Sequence, residues 1–213
     1  MDCSLLELSR NPALRLYSWD PPGLSIGHFQ DASEPWPPEA LKVKAQMVRR
    51  PTGGGAILHL REEFTFSLIL PRQDTHRAPP TKLYRQVGEA ISRAAAELGV
   101  SLLFRGTGDD RREDPFLCFE RTSCWDLVDS TGAKAAGFAA RKNRYSTLVH
   151  GSISPHTGLT HHHLVPIAPQ AFSDVFQISW RSCDLDSGEL DFARILQKLP
   201  LERRRQKRKT EDF

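Results

Sequence analysis

Apolar and polar positions alternate most clearly over residues 64 to 70, where Phe64, Phe66, Leu68 and Leu70 are interleaved with Thr65, Ser67 and Ile69. Side chains of a strand point alternately to its two faces, so this run predicts a strand with one face on a core. The period changes over residues 81 to 98. Leu83, Val87, Ile91, Ala94 and Leu98 recur at helical spacing, with Thr81 placed to cap the start after Pro79-Pro80 and Gly99 to stop the end. Residues 14 to 30 carry Leu14, Leu16, Leu24 and Ile26 around Pro21-Pro22-Gly23, a pattern for two strands joined by a turn. Further strands are expected at 100 to 104, 124 to 129, 133 to 141 and 146 to 153, with a loop and short helix over 31 to 47 and a polar loop over 105 to 114. Residues 154 to 187 give weak signals, and 188 to 199 form an amphipathic helix through Leu190, Ala193, Leu196 and Leu199. Strands, one long helix and more strands give an α+β or mixed α/β fold: a mostly antiparallel or mixed sheet with helices packed on it. No internal repeat is evident.

Composition narrows the function classes. The 213 residues fit one domain, expected over 1–200, with 201–213 as a basic, disordered tail. The longest apolar runs are too short to span a bilayer, and the N-terminus lacks the basic, apolar and small-residue succession of a signal peptide, so the reading is cytoplasmic. Four cysteines are too few for a disulfide scaffold and have no CxxC spacing for zinc. The tail Arg203-Arg204-Arg205-Gln206-Lys207-Arg208-Lys209 has no interleaved aromatic side chains for base stacking, which favours a solvated tail over a nucleic-acid surface. His161-His162-His163 reads as an exposed loop rather than a metal site, because three adjacent side chains do not converge easily on one ion.

The stretch with most chemistry is Arg49-Arg50-Pro51-Thr52-Gly53-Gly54-Gly55-Ala56-Ile57-Leu58-His59. Glycines let the backbone approach a ligand and aim successive N–H groups at an anion or carbonyl oxygen, and arginine adds a permanently charged fork of donors. A plain tight turn would use the same glycines. No Gly-Lys-Ser/Thr follows, so this is not a Walker phosphate loop. Lys134 stands among small residues in Gly132-Ala133-Lys134-Ala135-Ala136-Gly137, either as a surface lysine on a hairpin or as a partly desolvated ammonium able to stabilise a thiolate or an oxyanion.

Together these motifs resemble the biotin/lipoate protein ligase superfamily, in its lipoate ligase and octanoyltransferase branch. The resemblance is carried by Leu14 to Gln30, by the arginine-glycine segment, by Glu63-Phe64-Thr65-Phe66-Ser67, by the Lys134 loop and by His150-Gly151-Ser152, and spans about residues 1 to 155. It implies that Lys134 is the active-site lysine. It implies further that Arg49, Arg50, Thr52, Gly53, Gly54 and Gly55 cradle the carbonyl or phosphate end of the donor, and that His59, Gly137, His150 and Gly151 line the site; both histidines could equally be satisfied core residues. Cys118, in Phe116-Leu117-Cys118-Phe119, would be inert packing on its own. One octanoyltransferase branch has its nucleophile in a Cys-Phe pair ahead of the lysine loop, which Cys118-Phe119 matches, while Cys124 is the structural competitor.

The activity so implied is transfer of an octanoyl or lipoyl group from acyl carrier protein, through a Cys118 acyl-enzyme, to a lysine of a lipoyl domain or glycine-cleavage H-type protein, with no cofactor. Two alternatives stand beside it: an ATP- and Mg-dependent lipoate-protein ligase, and a noncatalytic relative that binds acyl groups or lipoyl domains. Departures from the family pattern favour the latter. Gly137-Phe138-Ala139-Ala140 lacks the usual glutamine and carries a bulky Phe138. Family members also begin with a strand ahead of the helix represented by Asp2 to Leu8, so an edge strand is expected to be missing.

Overall fold

The structure is a computed structural model that describes residues 1–72, 79–106 and 123–198. Cys118, most of the 105–114 loop, Leu199 and the basic tail lie outside the described residues. Nine strands form two sheets among those described: β1 (Ala13–Tyr17), β2 (Gly23–Ile26), β3 (Gln46–Arg49), β4 (Ile57–His59), β5 (Thr65–Pro71), β6 (Leu103–Phe104), β7 (Leu127–Val128), β8 (Lys134–Lys142) and β9 (Ser146–Ile153). The larger sheet has the order β1-β5-β9-β8-β7-β6 and is antiparallel throughout; the smaller has the order β3-β2-β4, with β2 parallel to β3 and antiparallel to β4. The α-helices described in full are α1 (Asp2–Leu8), α2 (Pro38–Lys42), α3 (Pro80–Glu97), α4 (His161–Leu164), α5 (Ala168–Phe176) and α6 (Ser187–Lys198). The fold is α+β, as the alternation of strand and helix patterns predicts.

The large sheet has two different faces. On one, Phe66, Leu68, Val149 and Ile153 pack with Leu83, Val87, Ile91 and Ala94 of α3 and with Phe172 of α5, forming the main core. Each large apolar side chain so enclosed contributes about 1.5–3 kcal/mol. The other face carries Thr65 and Ser67 of β5, His150 and Ser152 of β9, and Gly137 and Ala139 of β8, brought side by side by the strand register. This polar face is not solvated. Thr65, Ser67, His150 and Ser152 are all buried, because the small sheet and α1 cover them. Burial on both faces makes β5 a central strand, where alternation alone predicts a single covered face.

Several local expectations change. Residues 14 to 30 form no hairpin: β1 joins the large sheet and β2 the small one, and the intervening Trp19 packs so closely on Gly23 that a Cβ there would lie 2.4 Å from the indole. The Pro-Gly signal marks a passage between sheets. The strand expected at 124 to 129 shortens to Leu127–Val128, with a register shift, because Asp126 turns back to accept the Ser123 N–H at 2.8 Å. Helix α3 starts after Pro79, leaving Thr81 inside the first turn, and Leu98 is exposed. Gly99 does end it, at φ +75°. His161–His163 lie in a one-turn helix rather than a loop, started by the Thr160 side chain in a capping box with His163. The weakly patterned 154 to 187 region holds α4 and α5, whose apolar residues close the core beside α3. Among the described residues no helix is long and apolar enough to cross a membrane.

Candidate active site

The glycine turn follows β3 and is held from behind by its own arginines. Arg49 donates from one guanidinium nitrogen to the carbonyls of Gly27, His28 and Gln30 at 2.9, 3.2 and 2.7 Å. Arg50 donates to the Ser25 carbonyl and hydroxyl at 2.6 and 2.7 Å, and from its other nitrogen to the Gly55 carbonyl at 2.6 Å. Carbonyls of two loops thus converge on two buried cations, which fixes the path of residues 50 to 55. Gly54 has φ +96°, and Gly27 passes so near that a Cβ on it would lie 2.0 Å from the Gly54 carbonyl oxygen. Only glycine fits at 27.

Two carboxylate–histidine–hydroxyl chains fasten this turn to its surroundings. In the first, His150 Nδ1 lies 3.0 Å from the Asp2 carboxylate and its Nε2 lies 2.6 Å from Thr52 Oγ1. An ionised carboxylate only accepts, so Nδ1 carries a proton and donates to Asp2, while Nε2 and the Thr52 hydroxyl share the other hydrogen bond. In the second, His59 Nδ1 lies 2.6 Å from Glu63 and its Nε2 2.7 Å from Ser25 Oγ, which itself accepts from Arg50. Burial pushes His59 below its ordinary pKa, against the opposing pull of Glu63, so it stays neutral. Trp19 stacks on the same ring, 4.2 Å between centroids and 7° from parallel. For Asp2, burial works to raise the pKa, but the hydrogen bond and charge of His150 together with Arg15 outweigh it and hold the carboxyl well below its usual range.

Lys134 opens β8 on the far side of the cavity. Its ammonium lies 3.0 Å from Asp126, and the two side chains are only 8 % and 6 % exposed. Burial pushes Asp126 up from the ordinary carboxylate value, partly countered by Lys134. Gly137 makes the arrangement possible: a Cβ there would sit 3.0 Å from Lys134 Cε and 3.3 Å from Nζ, so the lysine folds back over the strand through the space a side chain would fill.

These groups face one cavity of about 810 Å³, within the range of ligand pockets. Arg49, Arg50, Gly53, Gly54, His59, Lys134, Gly137, His150 and Gly151 all border it, whereas Thr52 and Gly55 stand behind the turn as its supports. Cys118 is outside the described residues. Cys3 also borders the cavity, but burial raises its thiol pKa and disfavours the thiolate. Asp2, Ser25, Glu63 and Asp126 escape sequence reasoning. Glu63 had a readable signal, a carboxylate four positions after His59 beside an apolar run; Asp2 meets His150 only through the tertiary fold. Among the described residues no three His, Cys, Asp or Glu side chains converge as a metal site.

A buried ammonium and a glycine turn facing one cavity of about 810 Å³ form a site suited to an acyl carbonyl. The family model of the lipoyl protein ligase A/B catalytic domain matches residues 1–178. The chain belongs to that family. Among its relatives, the octanoyltransferase LipM of Kyrpidia tusciae is 38 % identical over 151 residues, covering 67 % of this chain and 54 % of the relative. That of an Exiguobacterium species is 38 % identical over 152 residues, with 67 % and 54 % covered. This chain therefore spans about half the length of these relatives. In three dimensions it is similar to a bipartite lipoate protein ligase of Thermoplasma acidophilum, determined with its E2 lipoyl domain, at a TM-score of 0.73 and 18 % identity over 99 % of this chain and 92 % of that one. That likeness gives the lipoate ligase fold.

Proposed function

We propose that the protein is an octanoyl- or lipoyl-transferase of protein lipoylation, working in the cytoplasm, with residues 1–200 as its catalytic unit. The reading rests above all on the Lys134 ammonium, held by Asp126 over Gly137 in the same cavity as the glycine turn. Identity to octanoyltransferases supports it. The donor is an acyl carrier protein thioester, and the acceptor a lysine of a lipoyl domain or an H-type protein.

Cys118 gives up its proton and the thiolate attacks the thioester carbonyl, forming a carbon–sulfur bond and an oxyanion stabilised by Lys134; collapse breaks the carrier's carbon–sulfur bond and releases its thiolate, which takes up a proton in place of the one Cys118 lost. The acceptor amine then attacks the acyl-cysteine, an amide forms, the amine gives up a proton, and Cys118 returns as a thiol. Each bond broken is a thioester, so no ATP is consumed.

Incubation with octanoyl-carrier protein tests the reading by intact mass. An adduct of one octanoyl group, absent in Cys118→Ser and discharged by a lipoyl domain, is the expected result. Labelling of that domain only with free lipoate, ATP and magnesium would establish a ligase instead. No labelling under either condition would leave a noncatalytic binder and overturn the reading.

A further inference from the structure

Ser152 on β9 is 1 % exposed, and its hydroxyl has no hydrogen-bond partner among the described residues. Buried hydroxyls left unpaired are uncommon and costly, so one that borders a cavity invites a ligand as its partner. Ser152 does border it. Register sets it between Thr65 of β5 and Gly137 of β8, on the polar face turned to the small sheet. The Thr65 hydroxyl is engaged by Trp19 Nε1–H at 3.0 Å. Gly137, directly opposite Ser152, lies under the Lys134 side chain, with Nζ 3.3 Å from where a Cβ at 137 would stand. Residues directly opposite in such a pair have Cβ positions about 4.5–5.5 Å apart. The hydroxyl from β9 and the ammonium from β8 therefore approach one point from neighbouring strands.

We infer that Ser152 is a second donor to the acyl carbonyl oxygen, acting with Lys134 to bind the carbonyl and to hold the oxyanion formed when the acyl group is transferred. The inference rests on the acyl-transfer reading and deepens it. A carbonyl oxygen accepts and never donates, so the partner it needs is an O–H or N–H group, which Ser152 supplies. Asp126, an acceptor when ionised, cannot; its place is to hold the lysine. The gain in the transition state exceeds that in the ground state, because a fixed, buried donor bonds more strongly as negative charge collects on the oxygen.

The test uses the full chain and two separate readouts. Calorimetric titration with octanamide, which has the carbonyl, is compared with a chloroalkane of matched length, which lacks it. Ser152→Ala should weaken octanamide about three- to tenfold and leave the chloroalkane unchanged. The acylation rate from octanoyl-carrier protein should fall about 100-fold, mainly in kcat. Ser152→Cys, which keeps the volume with a weak donor, guards against a packing effect: it should resemble the alanine variant, with both melting cooperatively as the wild type does. Octanamide binding that depends on Ser152 in a protein that transfers nothing would sustain the inference and sink the transferase reading. Unchanged octanamide affinity and unchanged acylation in Ser152→Ala would overturn the inference alone, and a wild type that neither binds octanamide nor forms an acyl adduct would overturn both.

Discussion

Lys134 Nζ stands 3.0 Å from the Asp126 carboxylate, and the pair is almost wholly withdrawn from water. Two charges buried together offset each other; one left behind does not. Lys134→Met and Asp126→Asn should each lower unfolding stability by about 3–5 kcal/mol, since each strands an uncompensated charge. The double variant should lose clearly less than the sum. Urea denaturation of the four proteins gives the cycle, and additive losses would show that the two groups do not interact.

Gly137 bears on the same lysine through space rather than charge. A methyl group there would meet Lys134 Cε at 3.0 Å and Nζ at 3.3 Å. The flexible end of the lysine can move aside, so Gly137→Ala should fold with a loss of about 1 kcal/mol or less. Its ammonium, however, would be displaced from the position proposed for the acyl carbonyl, and a misplacement of about 1 Å can reduce rate about 100-fold. Single-turnover acylation alongside a thermal melt separates the two: full activity would mean that the position of Nζ over Gly137 is immaterial.

Two buried groups make stability fall on acidification in two stages. His59 is held below its ordinary 6.5, so the fold prefers the neutral ring; its contribution is complete above that value and shrinks as pH drops through the lowered one. Asp2 is held below its ordinary 3.8, so its contribution persists to lower pH and disappears only beneath that value. Asp126, raised, runs the opposite way and returns a little stability as it protonates. Urea midpoints from about pH 8 down to about pH 1.5 should show the early decline in wild type and Asp2→Asn alike, with the later limb flattened only in Asp2→Asn. An unchanged later limb would mean that the Asp2 carboxylate adds nothing.

How much of this was legible in the chain follows from range. The 3.6-residue recurrence of Leu83, Val87 and Ile91 specifies α3 locally, and the isolation of Lys134 among small residues marks it for a task. Lys134 and Gly137 are three positions apart, and a glycine beside a lysine is visible in any reading of the motif. The partners of His150 are not. Asp2 lies 148 positions away and Thr52 lies 98 away, and no periodicity in either segment announces the meeting. The arginines illustrate a different limit. Sequence shows two cations beside a glycine turn, but whether they face a ligand or the carbonyls of Gly27, Ser25 and Gly55 is settled by the passage of β2 beneath them, which local turn chemistry does not encode. For the same reason Pro21-Pro22-Gly23 resembles a hairpin turn while joining two separate sheets.

The link from Thr52 to His150 joins the glycine turn to the large sheet, and its chemistry makes the consequence of breaking it specific. Thr52 is 2 % exposed and its hydroxyl lies 2.6 Å from His150 Nε2, in hydrogen-bond contact with it. Thr52→Val keeps the branched shape but removes the hydroxyl, leaving a buried ring nitrogen without its hydrogen-bond partner, at a cost of about 1–3 kcal/mol. Thr52→Ser keeps the hydroxyl and loses only a methyl group, so about 1 kcal/mol is expected. If the hydroxyl matters only for stability, acyl transfer by the folded valine variant will match wild type. If, as the geometry favours, the link holds Gly53 and Gly54 against the cavity, the valine variant will lose rate even where fully folded, and the serine variant will retain it. Acylation measured at a temperature well below both melting transitions distinguishes these outcomes, and equal rates in all three proteins would show that the turn keeps its position without the histidine.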